Sequence, residues 1–163
     1  MLNFLKTLLG LNNLLAAKIK GQQAYDEGIA LREAGNLKDG YLLILEASEL
    51  GNENAMAILG SIYLLGEGAA EDGQEAVRWL EKSIELGCED SISLLGMALV
   101  TGKAGVKFDL GRGRKMLEHA AERGDEQSAR MLDAMDRGVG MFKDIKRKSK
   151  RPSPKMANQK RQV

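Results

Sequence analysis

The 163-residue chain has little of what catalytic and cross-linked proteins are built from: one cysteine, one histidine, one tryptophan and two prolines. A single cysteine excludes an intramolecular disulfide and a cysteine-rich zinc site, and with them the stapled secreted scaffold and the zinc finger. A single histidine removes most metal triads. Both prolines, Pro152 and Pro154, lie in the last dozen residues, so the body is free of that helix breaker. Acids are absent before Asp26 and almost absent after Lys143. No apolar run is long enough to cross a bilayer. The length suits one compact domain burying roughly 70% of its unfolded surface, so disorder throughout is excluded.

What is present is glycine, 19 residues of it, and an uneven distribution of charge. The formal net charge of +1 conceals two parts. From Lys143 to Val163 there are nine basic residues and one acid, a charge of +8, whereas residues 1 to 142 hold 15 bases and 22 acids, a charge of −7. Residues 141 to 163 also contain both prolines and little to bury, so a disordered tail is expected there.

The glycines carry a repeat. Gly51, Gly87 and Gly124 stand 36 and 37 residues apart, and eight residues after each comes a leucine: Leu59, Leu95 and Leu132. Gly60 and Gly96 follow the first two leucines; Asp133 follows the third. The stretches 51–68, 87–104 and 124–138 align, and so do 39–51, 75–87 and 112–124. Ala55, Ile58, Leu59, Ile62 and Tyr63 have the spacing of one helix face, and no strand-like alternation appears. Gly35, Gly66, Gly102 and Gly138 are expected to end first helices, and Gly51, Gly87 and Gly124 second ones, where glycine best tolerates a left-handed residue. Asn52 and Asp125 then serve as N-caps, with Cys88 in the equivalent place. Gly60 and Gly96, inside helices, imply close helix approach.

No catalytic constellation emerges. His119 occupies a column of charged helix-surface residues and reads as solvated. Cys88 at a helix start has no base or second thiol beside it and reads as an inert thiol more readily than as a nucleophile. Gly66-Glu67-Gly68 and Gly111-Arg112-Gly113 lack the flanking strand and the Lys-Ser/Thr of a phosphate loop. Glu71, Asp72 and Glu75 suit a loop and a helix start, where the helix dipole favours acids. The expectation is therefore a non-enzyme without cofactor or metal.

The A-x-x-x-L-G-x-x-Y-x-x-G-x-G of residues 55–68 resembles the Sel-one-like repeat (SLR) family, which is related to the tetratricopeptide (TPR) repeat. The resemblance covers residues 21–138. It implies an all-α fold, a right-handed α-solenoid of antiparallel helical hairpins, with units 21–51, 52–87 and 88–124 and a half-unit 125–138 within a solenoid of 21–140. Residues 1–20 are expected as an amphipathic N-terminal helix, either capping the first unit or forming a basic surface helix. Their interrupted apolar run and following lysines make a poor signal peptide, so a cytoplasmic location is expected.

Carried over in the TPR register, first helices line a concave face with Gln22, Tyr25, Ile29 and Arg32; Asn54, Ala57, Ser61 and Leu64; Asp90, Ser93, Met97 and Val100; and Arg130, Ala134 and Arg137. The resemblance implies an adaptor that binds a protein or peptide there, with a bacterial immunity or effector-binding protein as a specialised form. Homo-oligomerisation is left open. The alternative is a nucleic-acid or anionic-membrane binder acting through Lys146, Arg147, Lys148, Lys150 and Arg151 of the tail.

Overall fold

The computed structural model describes the backbone of residues 2–149 and the side chains of residues 6–138. Among the described residues there are seven α-helices and no strand. The helices are α1 (Leu2–Glu33), α2 (Leu37–Glu49), α3 (Glu53–Leu65), α4 (Gly73–Glu85), α5 (Asp90–Thr101), α6 (Leu110–Glu122) and α7 (Glu126–Ser149), with a short 3-10 turn at Lys103–Gly105. They pair as hairpins, α1 with α2, α3 with α4 and α5 with α6, and each hairpin stacks on the next. The fold is an α-solenoid.

Each hairpin crosses at a glycine. A Cβ on Gly28 would sit 3.0 Å from Ile44 Cδ1, one on Gly60 2.5 Å from Leu80 Cγ, and one on Gly96 3.1 Å from Leu117. From the facing helices, Gly40 and Gly113 approach the Gly28 and Gly96 carbonyls with equal intimacy, at 3.0 and 2.9 Å from a built Cβ. The helix-propensity cost of these glycines is thus exchanged for backbone-to-backbone packing. Between hairpins lie two apolar clusters. Ile44, Leu59, Ile62 and Trp79 centre the first, and Leu80, Leu95, Leu99 and Val106 the second. Leu59 and Leu95 are fully buried, as their repeat column predicts.

The loops after α3 and α5 fold back onto the preceding unit. Gly68 lies against the Leu37 carbonyl at the start of α2, and a Cβ on Gly73 would meet the Ala104 carbonyl and Val106 amide at 2.6 Å. The Asp72 and Asp109 amides donate to the Tyr63 and Leu99 carbonyls, both at 3.0 Å, closing equivalent turns. Asp72 and Asp109 also cap the helices they precede.

Gly35, Gly51, Gly66, Gly87, Gly102 and Gly124 have positive φ and end helices as expected. Gly138 does not; α7 runs through it to Ser149, so the half-unit does not stop at 138 and the segment from 141 begins as helix. Nothing there demands a left-handed residue, and helical glycine is merely costly. Residues 2–20 are not a separate helix. They continue into Gly21–Glu33 without a break, because Gly21 is helical and serves packing: a Cβ there would lie 3.1 Å from Leu50 Cβ.

Asn52 and Asp125 cap α3 and α7 by accepting from the Ala55 and Ser128 amides. Cys88 supplies no such oxygen. The first turn of α5 tightens instead, with the Ile92 amide donating to the Glu89 carbonyl at 2.9 Å, a 3-10 bond that meets the same orphan-donor problem.

Candidate functional site

α3 touches α5 and α5 touches α7, whereas the second helices make at most marginal contact with one another. First helices therefore lie on the inner side of the stack. Their sequences are unusual: α3 carries no charged residue after Glu53, and α5 none after Asp90. A solvated helix face is ordinarily charged, yet these two present apolar groups to the surface.

Between them runs a groove. At one end a cleft of about 170 Å³ is lined by Ser61, Leu64 and Leu65 of α3, Leu94, Met97, Ala98 and Thr101 of α5, and Lys103. Leu65 is half exposed. Leu94 also lines a second, more polar hollow of about 310 Å³, formed with Tyr25 of α1, Asn54, Ala57 and Ile58 of α3, Cys88, Asp90 and Ser93, and Asp125 and Gln127. The two adjoin at Leu94, which lines both, and together give the α3–α5 channel an apolar end and an acidic end. Burial raises the Tyr25 hydroxyl pKa, with Asp26 and the Cys88 thiol adding to it, so that this phenol stays a neutral donor. The Cys88 thiol, buried, points at Asn54 Oδ1, 3.8 Å away.

Of the residues expected on the concave face, Tyr25, Asn54, Ala57, Ser61, Leu64, Asp90, Ser93 and Met97 line the channel. Leu64 and Ser93 are largely buried within it. Gln22 faces a separate hollow beside Lys18 and Glu53, where Asn52 donates to it at 3.1 Å. Ile29 packs against the first core cluster. Arg32 is committed to Glu67, donating to its carbonyl at 3.0 Å and its carboxylate at 2.9 Å, which pins the loop after α3. Val100 turns toward Gly113 of α6. Arg130 and Arg137 are exposed on α7 and pair with Glu126 and Asp133 one turn away; Ala134 is exposed beside them. Lys146, Arg147 and Lys148 fall on the backbone of α7 with side chains outside the described set, and Lys150 and Arg151 lie outside the described residues altogether.

The sequence reading missed Ile58, Leu65, Leu94 and Thr101 as lining residues. They stand four residues beyond Asn54, Ser61, Asp90 and Met97, on the same ridge, and the charge-free runs of α3 and α5 were the signal that could have found them. His119 is exposed, in a shallow hollow with Asp90, Asp125 and the Glu89–Arg123 ion pair. No cluster of three metal-ligating side chains occurs among the described residues, and none of their helices is long and apolar enough to cross a membrane.

The Sel1 repeat family model matches residues 54–88 and 90–125, which are the α3–α4 and α5–α6 hairpins with their loops. No curated protein matches the chain. Among solved structures it is similar to a Sel1 repeat protein from Oxalobacter formigenes, at 25% identity and a TM-score of 0.57, over 66% of this chain and 45% of that one. It is also similar to c5321, a protective antigen of uropathogenic Escherichia coli strains displaying an SLR fold, at 26% identity and a TM-score of 0.53, over 78% of this chain and 27% of the antigen. Helicobacter pylori cysteine rich protein B shares the fold at 21% identity and a TM-score of 0.51, over 73% of this chain and 94% of that one. The chain spans less than half the length of the first two.

Proposed function

We propose, on the premise that the chain belongs to the Sel1 repeat family, that it is a non-catalytic interaction module that binds a peptide or partner helix in the α3–α5 channel. Proteins of this repeat class generally mediate protein–protein interaction, and the observation that carries the reading is the channel's composition. Leu65, Leu94 and Met97 are apolar groups on the charge-free stretches of α3 and α5 at the inner face. They suit apolar anchors of a ligand, while Asp90 and Asp125 at the other end suit its basic or hydrogen-bond-donating flank. A bacterial immunity or effector-binding adaptor is the specialised form of this reading, and a toxin encoded beside it is the sign that would single it out.

Selection of peptides from a displayed random library against the full chain tests the proposal. Enriched peptides should carry two apolar anchors with a basic flank. Leu94→Glu/Met97→Glu, which places charge in the cleft, should weaken them at least about tenfold with the helical circular-dichroism signal unchanged. Peptides that bind the double variant as well as the wild type would refute the assignment. The alternative, a nucleic-acid or anionic-surface binder, rests on the +8 charge of residues 143–163. Binding through that segment would fall steeply with salt and ignore the channel variant.

A further inference from the structure

We infer that the first five turns of α1 form an arm that docks on an anionic lipid surface through its leucine face, an attachment separate from the channel. Lys18 borders a hollow with Leu50 and Glu53, Lys20 pairs with Glu46 of α2 at 2.8 Å and Gly21 packs on Leu50, so residues 2–20, about 28 Å of helix, are held to the stack at their inner end. A Cβ built at Gly10 would meet nothing. Six large apolar side chains in this stretch are solvent-exposed: Leu8, Leu9, Leu11, Leu14, Leu15 and Ile19, all but one by more than half. A contiguous apolar patch on a free helix marks a docking surface.

The shape and charge of the arm select its occupant. Leu8, Leu11, Leu15 and Ile19 follow one another along a single stripe, with Leu9 and Leu14 flanking it on either side. At 100° per residue the six spread over about 220° of the helix circumference. That is about twice the width of a stripe facing one partner helix or a shallow groove, and it suits a surface into which the helix sinks sideways. Lys6, Asn13 and Lys20 form the opposite, polar stripe, with Lys20 paired to Glu46 of α2; Thr7, Asn12 and Lys18 fall inside the apolar arc, where the Lys18 stem can lie along the hydrocarbon and its ammonium reach the headgroups. The arm holds three lysines and no acid, whereas from Asp26 to Phe142 acids outnumber bases 22 to 12. An anionic surface therefore attracts the arm and repels the body behind it. The arm lies on the bilayer and does not span it, since no described helix is long and apolar enough to cross.

Flotation of the full chain with phosphatidylcholine vesicles containing about one quarter phosphatidylglycerol tests this. The wild type should float, and should float poorly with neutral vesicles. Leu11→Asp/Leu15→Asp, at exposed positions outside the core, should lower the partition coefficient at least about tenfold, while Lys146→Glu/Lys148→Glu should retain most binding. The inference fails if the leucine variant floats like wild type. It fails equally if the wild type stays unbound and sediments as a dimer that the leucine variant dissolves, since the occupant is then a second copy. Loss of channel binding in Leu94→Glu/Met97→Glu without loss of flotation would keep the two surfaces distinct.

Discussion

Gly60 and Gly138 show that the same residue type does opposite things in one fold. A methyl on Gly60 must displace Leu80, which is fully buried. Gly60→Ala gains ~1 kcal/mol of helix propensity yet should destabilise the protein by about 1–2 kcal/mol net, because overpacking there costs more. Gly138→Ala meets nothing within 4 Å and should stabilise α7 by about 0.5–1 kcal/mol. Thermal unfolding of the two variants checks both signs. A second pair is polar. Ser91 donates to Ser83 at 2.8 Å, and Ser83 to the Glu53 carbonyl at 2.7 Å, joining two units inside the core. One repeat later the Ser83 column holds Ala120, and Ser128, in the Ser91 column, is fully buried with an unpartnered hydroxyl. Ser128→Ala should be neutral or stabilising, within about 0.5 kcal/mol on the unfavourable side, whereas Ser91→Ala should cost about 1 kcal/mol by removing the buried bond between the two units, Ser83 keeping its bond to the Glu53 carbonyl. Denaturant titration of the two serine variants separates these outcomes.

Among the elements, hairpins and their punctuation were legible from sequence because the forces that set them are local. Left-handed stops at Gly66 and Gly102, the Asn52 cap and the crossing at Gly96 all leave a residue type at a fixed place in the period. What escaped were features set by the presence or absence of a neighbour. α1 runs straight through residue 20 because Gly21 packs on Leu50 as a helical residue, and α7 runs through 138 because nothing packs there to require a turn. Lining residues were half legible: the register found Ser61 and Met97 but not Leu65 and Leu94, and it claimed Arg32, which Glu67 holds in a loop staple. A partner's charge one unit away is not visible in a helical wheel. The last helix depends on one such charge. Arg114 of α6 donates to Asp136 of α7 at 2.8 and 3.3 Å, which holds that exposed carboxyl below its ordinary range. A lowered folded value means the link is complete above the ordinary carboxylate pKa and is lost as pH falls through the lowered one. The protection of α7 amides, taken relative to their intrinsic exchange rate at each pH, should therefore fall on acidification, and Asp136→Asn should show low protection at neutral pH with that pH dependence removed.

For the molecule as a whole, the stack has two different ends and one open face. Asp133 stands in the column of Gly28, Gly60 and Gly96, exposed and paired with Arg137. A further second helix could not cross α7 there in the register of the others, and a polar outer face is what a terminal repeat requires. The opposite end carries the leucine arm. Between them, inter-unit ion pairs such as Glu81–Arg112 at 2.7 Å and Arg32–Glu67 lace successive repeats, each contributing little alone. The near-absence of histidine and cysteine leaves a helical scaffold with few reactive groups, and its inner face keeps open two helices without charge beyond their first residues.

Chemical-shift mapping of a selected peptide on the isotope-labelled full chain tests that face most directly. The account predicts perturbations concentrated at Ser61, Leu65, Leu94 and Met97, extending toward Asn54 and Asp90. Perturbations confined to α2, α4 and α6, or to the basic residues after Lys143, would contradict it.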